Sequence, residues 1–153
     1  MNKNNHDATT LEYNNIVDGI YIGTNFCCTT HFEEKLVRER ITVDISVEEE
    51  HIDMPIGVEF YVWIPVKDKT APTQDQLEFG VATLEKLVAM GKKVYVHCKN
   101  GHGRAPTLVG AYVMKKGKTL QEAETLLKEK RGSIHLENAQ RKALEIFAQS
   151  SWT

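Results

Sequence analysis

The sequence predicts an α/β fold, a single three-layer domain whose mostly parallel central sheet of about four to five strands is flanked by helices. Three observations carry this. Short runs rich in β-branched and aromatic residues alternate along the chain with longer stretches of helical period. Three Thr-x-x-Glu/Gln pairs, Thr30 with Glu33, Thr73 with Gln76 and Thr119 with Glu122, stand where capping boxes open helices. A glycine-bearing loop joins the last predicted strand to a proline-containing helix start, at the strand end where such sheets hold ligands.

In chain order, strands are expected at residues 19–23, 41–46, 59–64 and 93–97. The first helix is expected to open at Thr30/Glu33. The second opens at Thr73/Gln76 and carries Leu77, Val81, Leu84 and Val88 at helical spacing, and the third opens at Thr119/Glu122 with Leu120, Ala123, Leu126 and Leu127. A last helix over 137–150 is expected to turn Ala139, Ala143, Ile146 and Phe147 inward. These stripes read as core, not as a cofactor box. With 153 residues and 41% hydrophobic content, the chain is long enough for one core and too short for a second. The expected organisation is a flexible N-terminal segment over 1–12 and one domain over 13–153.

Net charge is −2 and pI about 6.3, which argues against general nucleic-acid or membrane-surface binding. Locally the charge is uneven. No acidic residue stands between Glu85 and Glu122, where Lys86, Lys92, Lys93, Lys99, Arg104, Lys115, Lys116 and Lys118 are all basic. Acids gather instead at Asp44, Glu48, Glu49, Glu50 and Asp53, a group read as a solvated loop because its spacing matches no calcium loop. Three cysteines, no secretory leader and no apolar run near eighteen residues lead to the expectation of a reducing, cytoplasmic setting without stable membrane insertion. Cys27 and Cys28 read as small buried residues.

Residues 97–104 run His97-Cys98-Lys99-Asn100-Gly101-His102-Gly103-Arg104. A strand, a tight loop and a helix N-terminus aim several amide N–H groups and the positive end of a helix dipole at one spot, so an anion is expected there. Arg104 offers a planar fork that matches two oxygens of a phosphoryl group. Cys98 lies in the same field, which favours its thiolate. Gly101 and Gly103 permit the backbone conformations and close approach of such a nest. Alone, Cys98 would read as a buried strand-end cysteine and Arg104 as a solvated loop residue; the full set at this spacing favours the anion site. A metal set from His97, Cys98 and His102 is not expected, since no Cys-x-x-Cys or His-x-x-x-His completes it.

The segment from His97 to Arg104 resembles the His-Cys-x5-Arg signature of the cysteine-dependent protein tyrosine phosphatase superfamily, and the chain around it resembles the dual-specificity branch. Ile20-Tyr21-Ile22-Gly23 is similar to the opening strand of that branch, and Ile64 to Pro72 to its general-acid loop, with Asp68 thirty positions before Cys98. Gln140, Leu144 and Phe147 are similar to the family's C-terminal helix. The resemblance implies a phosphocysteine mechanism. Cys98 is the expected nucleophile, and Arg104 with the loop residues Lys99, Asn100, Gly101, His102 and Gly103 holds the phosphoryl oxygens. Asp68 is the acid and later the base, and His97 orients the loop, with no cofactor and no metal. Asp75 is a rival acid, but the Thr73/Gln76 box gives it a structural place in a first helical turn. The superfamily also allows a reversible disulfide between Cys98 and a cysteine such as Cys27 or Cys28.

Ala105 departs from the family pattern, which has Ser or Thr there to stabilise the departing thiolate, so hydrolysis of the intermediate is expected to be slow. Some family members acting on phosphorylated glucans also carry Arg-Ala-Pro at this place, so the resemblance allows turnover with Ala105. The expected substrate is a phosphorylated protein, on Tyr and Ser/Thr, or a small phosphomonoester. Lys99 and His102 stand where phosphoinositide-directed members place basic residues, and the run from Tyr95 to Gly101 resembles the mitochondrial phospholipid-phosphatase branch, so a phospholipid is the alternative. A phosphate-binding adaptor with weak turnover is a third reading, raised by Ala105.

Overall fold

The computed structural model describes residues 7–150. Its elements, in order, are β1 (Tyr13–Val17), β2 (Ile20–Gly23), α1 (Glu34–Arg38), β3 (Ile41–Ser46), β4 (Phe60–Trp63), α2 (Gln74–Ala89), β5 (Lys93–His97), α3 (Arg104–Lys115), α4 (Leu120–Lys130) and α5 (Asn138–Ala148). The five strands form one sheet in the order β1-β2-β5-β3-β4, parallel except for the β1–β2 pair. This is the expected α/β class.

Side-chain alternation along the strands splits the interior into two cores. Ile20, Ile22, Val43, Ile45, Val94 and Val96 meet the buried faces of α2, α3, α4 and α5 in the larger core. On the other face Tyr21, Ile41 and Tyr95 pack with Cys27, Cys28, Phe32 and Leu36 of α1 in a smaller one. Register brings Gly23 of β2 and Ser46 of β3 level with His97 of β5. The central strand therefore delivers Cys98 at the C-terminal edge of the parallel sheet, flanked on both sides.

Two of the three expected capping boxes are present, at Thr73/Gln76 and Thr119/Glu122, each with both reciprocal bonds. The one at Thr30/Glu33 is absent. Glu33 is itself the residue before α1, its N–H donates to the Cys27 carbonyl, and Thr30 Oγ1 instead lies 3.0 Å from His31 Nδ1. The sheet gains a strand the sequence reading lacked, β1, whose Asn14 and Asn15 face solvent on an edge and break the apolar alternation. In α5 the inward face is Gln140, Ala143, Leu144 and Phe147; Ala139 is exposed and Ile146 is 45% exposed, so the apolar stripe is rotated from the expected one. Of the segment 1–12 expected to be flexible, Ala8 N donates to Asn100 Oδ1 and Glu12 exchanges bonds with Thr24, while residues 1–6 lie outside the described residues. Among the described residues no helix is long and apolar enough to cross a membrane.

Candidate active site

Cys98 follows β5 directly, 3% exposed and with a free thiol, and Arg104 is the first residue of α3, 2% exposed. Between them the loop is held entirely from outside. The Cys98 carbonyl lies 3.2 Å from His97 Nδ1, that of Lys99 accepts from Asn25 N, and those of Asn100 and Gly101 accept from Arg131 Nη2 and Nε. The His102 carbonyl accepts from His135 N, and that of Gly103 from Thr107 N and Oγ1. Six successive carbonyls thus turn outward, and a peptide whose C=O points out turns its N–H toward the inside of the curve.

Gly101 makes the curve possible. Its φ is +71°, and a Cβ there would lie 2.7 Å from the Gly23 carbonyl oxygen, so only glycine lets the loop rest on the end of β2. Gly103 is equally close to Gln140, where a Cβ would come 2.8 Å from Oε1. Gln140 is clamped in turn, accepting from Glu137 N and donating to the Thr70 carbonyl, which ties the Asp68 loop to α5 beside the cavity.

The loop lines a cavity of about 150 Å³ shared by Cys98, Lys99, Asn100, His102, Gly103 and Arg104, with Asp68, Lys69 and Gln140 at its sides. All the sequence-predicted residues except Gly101, His97 and Ala105 therefore meet at one place; those three lie behind it. Arg104 Nη1 donates to both Glu50 oxygens at 2.8 Å and to the Val66 carbonyl at 2.8 Å, while Nη2 lies 3.5 Å from Asp68 Oδ1. Burial works against the guanidinium's charge, but Glu50 and the charges of Cys98 and Asp68 outweigh it, and the Arg104 pKa is raised. Burial would likewise raise Glu50, yet the Arg104 hydrogen bonds and charge hold its carboxyl below the ordinary value. Asp75 sits in the first turn of α2, as the capping box requires.

The acidic group expected to be a solvated loop is corrected here. Asp44 and Glu48 are fully buried, Glu50 anchors Arg104, and Asp53 Oδ2 lies 2.7 Å from His97 Nε2. Glu49 is exposed, as expected of a solvated loop. The side chains of Asp44 and Asp53 are buried against His97 and that of Glu48 against Asn25, which spacing in the sequence does not display. His97 itself is fully buried; burial would lower its pKa, but Asp44 and Asp53 raise it well above the ordinary value. Cys27 and Cys28 are buried as expected, and are joined to each other by a disulfide, with Cys98 left free.

The basic run does not converge on the cavity. Lys92 pairs with Glu59 and Lys115 with Glu85, and Lys93 donates to the Glu39 carbonyl. Lys99 reaches the rim but pairs with Asp7 at 3.3 Å, whose carboxyl is lowered by Asn100 and Lys99. Ala105 is fully buried, and the Thr107 hydroxyl next along is spent on the Gly103 carbonyl at 2.7 Å. Sequence reasoning missed Arg131, 4% exposed, whose fork braces two loop carbonyls and Asn14 Oδ1. It also missed Glu50. Neither has a local sequence signal, since Arg131 acts on loop carbonyls 30 and 31 positions away and Glu50 on an arginine 54 positions away.

Residues 20–149 match the dual specificity phosphatase catalytic domain family. The human phosphatidylglycerophosphatase and protein-tyrosine phosphatase 1 is 36% identical over 93 residues, 60% of this chain and 46% of that protein. Human dual specificity protein phosphatase 5 is 37% identical over 76 residues, 48% of this chain and 20% of that protein. The chain spans less than half the length of these curated relatives. The crystal structure of PTPMT1 in complex with PI(5)P superposes with a TM-score of 0.74 at 25% identity, covering 90% of this chain and 94% of that one. The family match, the fold and a cysteine and arginine facing one cavity agree, and the chain belongs to the dual specificity phosphatase catalytic domain family, whose members are cysteine-dependent phosphatases.

Proposed function

We propose that this chain hydrolyses phosphate monoesters through a phosphocysteine on Cys98, acting as a dual-specificity phosphoprotein phosphatase. The observation that carries the reading is the loop with six outward carbonyls closing on Cys98 and Arg104. The inward amides and the Arg104 fork hold the three equatorial phosphoryl oxygens, so positioning and electrostatics supply most of the rate. Cys98 Sγ attacks phosphorus in line, a P–S bond forms, and the ester P–O bond breaks as Asp68 gives its proton to the leaving oxygen. Water then attacks phosphorus, Asp68 takes its proton, and the P–S bond breaks to return the thiolate.

Release of nitrophenol from an aryl phosphate tests this directly. Cys98→Ser is expected to fall to background, and Asp68→Ala to slow turnover by about 10²–10³-fold. Equal, near-background release from these variants and the unsubstituted chain would make it a phosphate-binding adaptor.

A second reading, a phospholipid headgroup as substrate, is favoured by Lys99 and His102 on the cavity wall and by the names of the human relative and of the PI(5)P complex. The Asp7 carboxylate beside Lys99 offsets part of that loop charge, which is why the phosphoprotein reading comes first. Rates on phosphopeptides, phosphoinositides and phosphatidylglycerol phosphate separate the two. Under the lipid reading Lys99→Ala and His102→Ala lower lipid rates more than peptide rates; equal effects support the phosphoprotein reading.

A further inference from the structure

Behind the phosphate loop, on the face of the sheet opposite α2–α5, Cys27, Cys28, Asp44, Asp53 and His97 bring five ligand atoms within 4.8 Å of one another. The topology explains the gathering. Asp44 and His97 project from adjacent parallel strands β3 and β5 to the same face, the short turn after β2 carries Cys27 and Cys28 beneath them, and the segment after β3 lays Asp53 across. Charges are rarely placed this deep without a partner.

His97 is presented as a ligand. With its Nδ1 3.2 Å from the Cys98 carbonyl, the proton that carbonyl requires is on Nδ1; Nε2 faces the cluster with its own proton toward Asp53, and that proton is released to solvent when a cation takes its place. Nε2 lies 2.7 Å from Asp53 Oδ2, 3.1 Å from Asp44 Oδ1 and 3.9 Å from Cys28 Sγ. Asp44 is fully buried, and among the described residues neither of its oxygens has a donor in hydrogen-bond geometry, because the line from Nε2 is directed to Asp53. Two carboxylates thus share one imidazole, and no other described residue gives Asp44 a donor. An entry path exists: a cleft of about 410 Å³ adjoining the substrate cavity is lined by Cys28 and Asp53 together with Asn25, His51 and Lys99.

We propose that, with the Cys27–Cys28 pair reduced, this cluster is a site for a borderline divalent cation of the zinc class, held by His97 Nε2, Asp44, Asp53 and the Cys28 thiolate, with Cys27 in reach. Tetrahedral bonds of about 2.0–2.3 Å set ligand atoms about 3.3–3.8 Å apart; the Nε2 distances of 2.7, 3.1 and 3.9 Å bracket that range, so Asp53 and Asp44 move apart by several tenths of an ångström as the ion replaces the hydrogen bond between His97 and Asp53. Thiolate and imidazole beside carboxylate select zinc-class ions over magnesium or calcium, which take oxygen shells. One divalent charge answers the two carboxylates, and the ion holds His97 against the Cys98 carbonyl from below. The cation and the disulfide exclude each other, since a sulfur in an S–S bond has no thiolate to give.

The test uses the full chain carrying Cys98→Ser, so that the thiol of the phosphate loop cannot bind metal. The phosphine TCEP supplies the two electrons that cleave the disulfide; the sulfurs gain two protons and the phosphine takes oxygen from water. After its removal, Co²⁺ is expected to bind at one equivalent with a thiolate-to-metal charge-transfer band and the intense visible absorption of a tetrahedral ion, and Zn²⁺ to displace it. Further replacement of Cys28 by Ser is expected to remove most of the charge-transfer band, and Asp53→Asn to weaken Zn²⁺ by more than about tenfold. Should those variants fold poorly, the parent protein decides: Zn²⁺ raises its Tm when reduced and much less when oxidised. No stoichiometric binding to the reduced protein, or binding untouched by both replacements, overturns the site.

Discussion

Arg104 shows how one side chain is both charged and placed. Its Nη1 is committed to Glu50 and the Val66 carbonyl, which fixes the guanidinium plane and sets Nη2, 3.5 Å from Asp68 Oδ1, at the cavity they line together. Glu50→Gln keeps the size and one acceptor but removes the charge, so the fork loosens. The expected result is a kcat/KM on aryl phosphate lower by about 10–100-fold, with a Tm that still reports a cooperative fold. An unchanged kcat/KM would mean that the Val66 carbonyl alone holds Arg104. Ala105 belongs to the same scale. It is fully buried, and the neighbouring Thr107 hydroxyl is already bonded to Gly103, so among these two residues no hydroxyl is left for the departing sulfur. Ala105→Ser is expected to speed breakdown of the phosphoenzyme, raising the steady-state rate and shrinking the burst. Equal steady-state rates would show that this step does not limit turnover.

At the scale of elements, the loop between β5 and α3 is a curve imposed by its neighbours. Asn25, Arg131, His135 and Thr107 each take a carbonyl, and Gly101 rests on Gly23. Gly101→Ala puts a side chain in the left-handed region and against a backbone oxygen that cannot move without moving β2. We expect a loss of about 2–4 kcal/mol in urea unfolding, with phosphatase activity lost ahead of the fold. Retained activity with that loss of stability would show that the loop keeps its curve by shifting β2. Much of this was legible: the glycines, the cysteine, the arginine and the proline start of α3 fall within the nine residues 98–106, so spacing alone reports them. The braces were not. Arg131 and Glu50 come from distant chain positions, and only the fold brings them in. The β1–β2 hairpin had a signal that polar residues hid, because Asp18-Gly19 has positive φ at both positions, 51° and 79°, as a tight two-residue hairpin turn requires.

At the scale of the molecule, strand alternation assigns the chemistry to two faces. Residues 94 and 96 face the α2–α5 core, while Tyr95 and His97 face the other side, so the strand that delivers Cys98 also plants His97 in the polar cluster behind it. Periodicity could report apolar stripes, but not that Asp44 and Asp53 would be drawn in by His97, nor which way α5 would roll. That last helix is held to α4 by Glu124, 16% exposed, which accepts from Arg141 Nε and Nη2 and pairs with Lys128 at 3.3 Å. Hydrogen bonds from Arg141 and then Lys128 outweigh burial and lower the Glu124 carboxyl from its ordinary value of 4.5. A carboxyl lowered on folding contributes stability that is fully present above its unfolded value and is lost as pH falls through the folded one, because the unfolded chain takes up the proton first. Glu124→Gln is therefore expected to cost about 0.5–1 kcal/mol in urea unfolding at neutral pH. The gap between the two proteins should close as pH is lowered beneath the ordinary glutamate range. A gap that stays constant into acid would assign the α4–α5 contact to packing around Arg141 rather than to its charge.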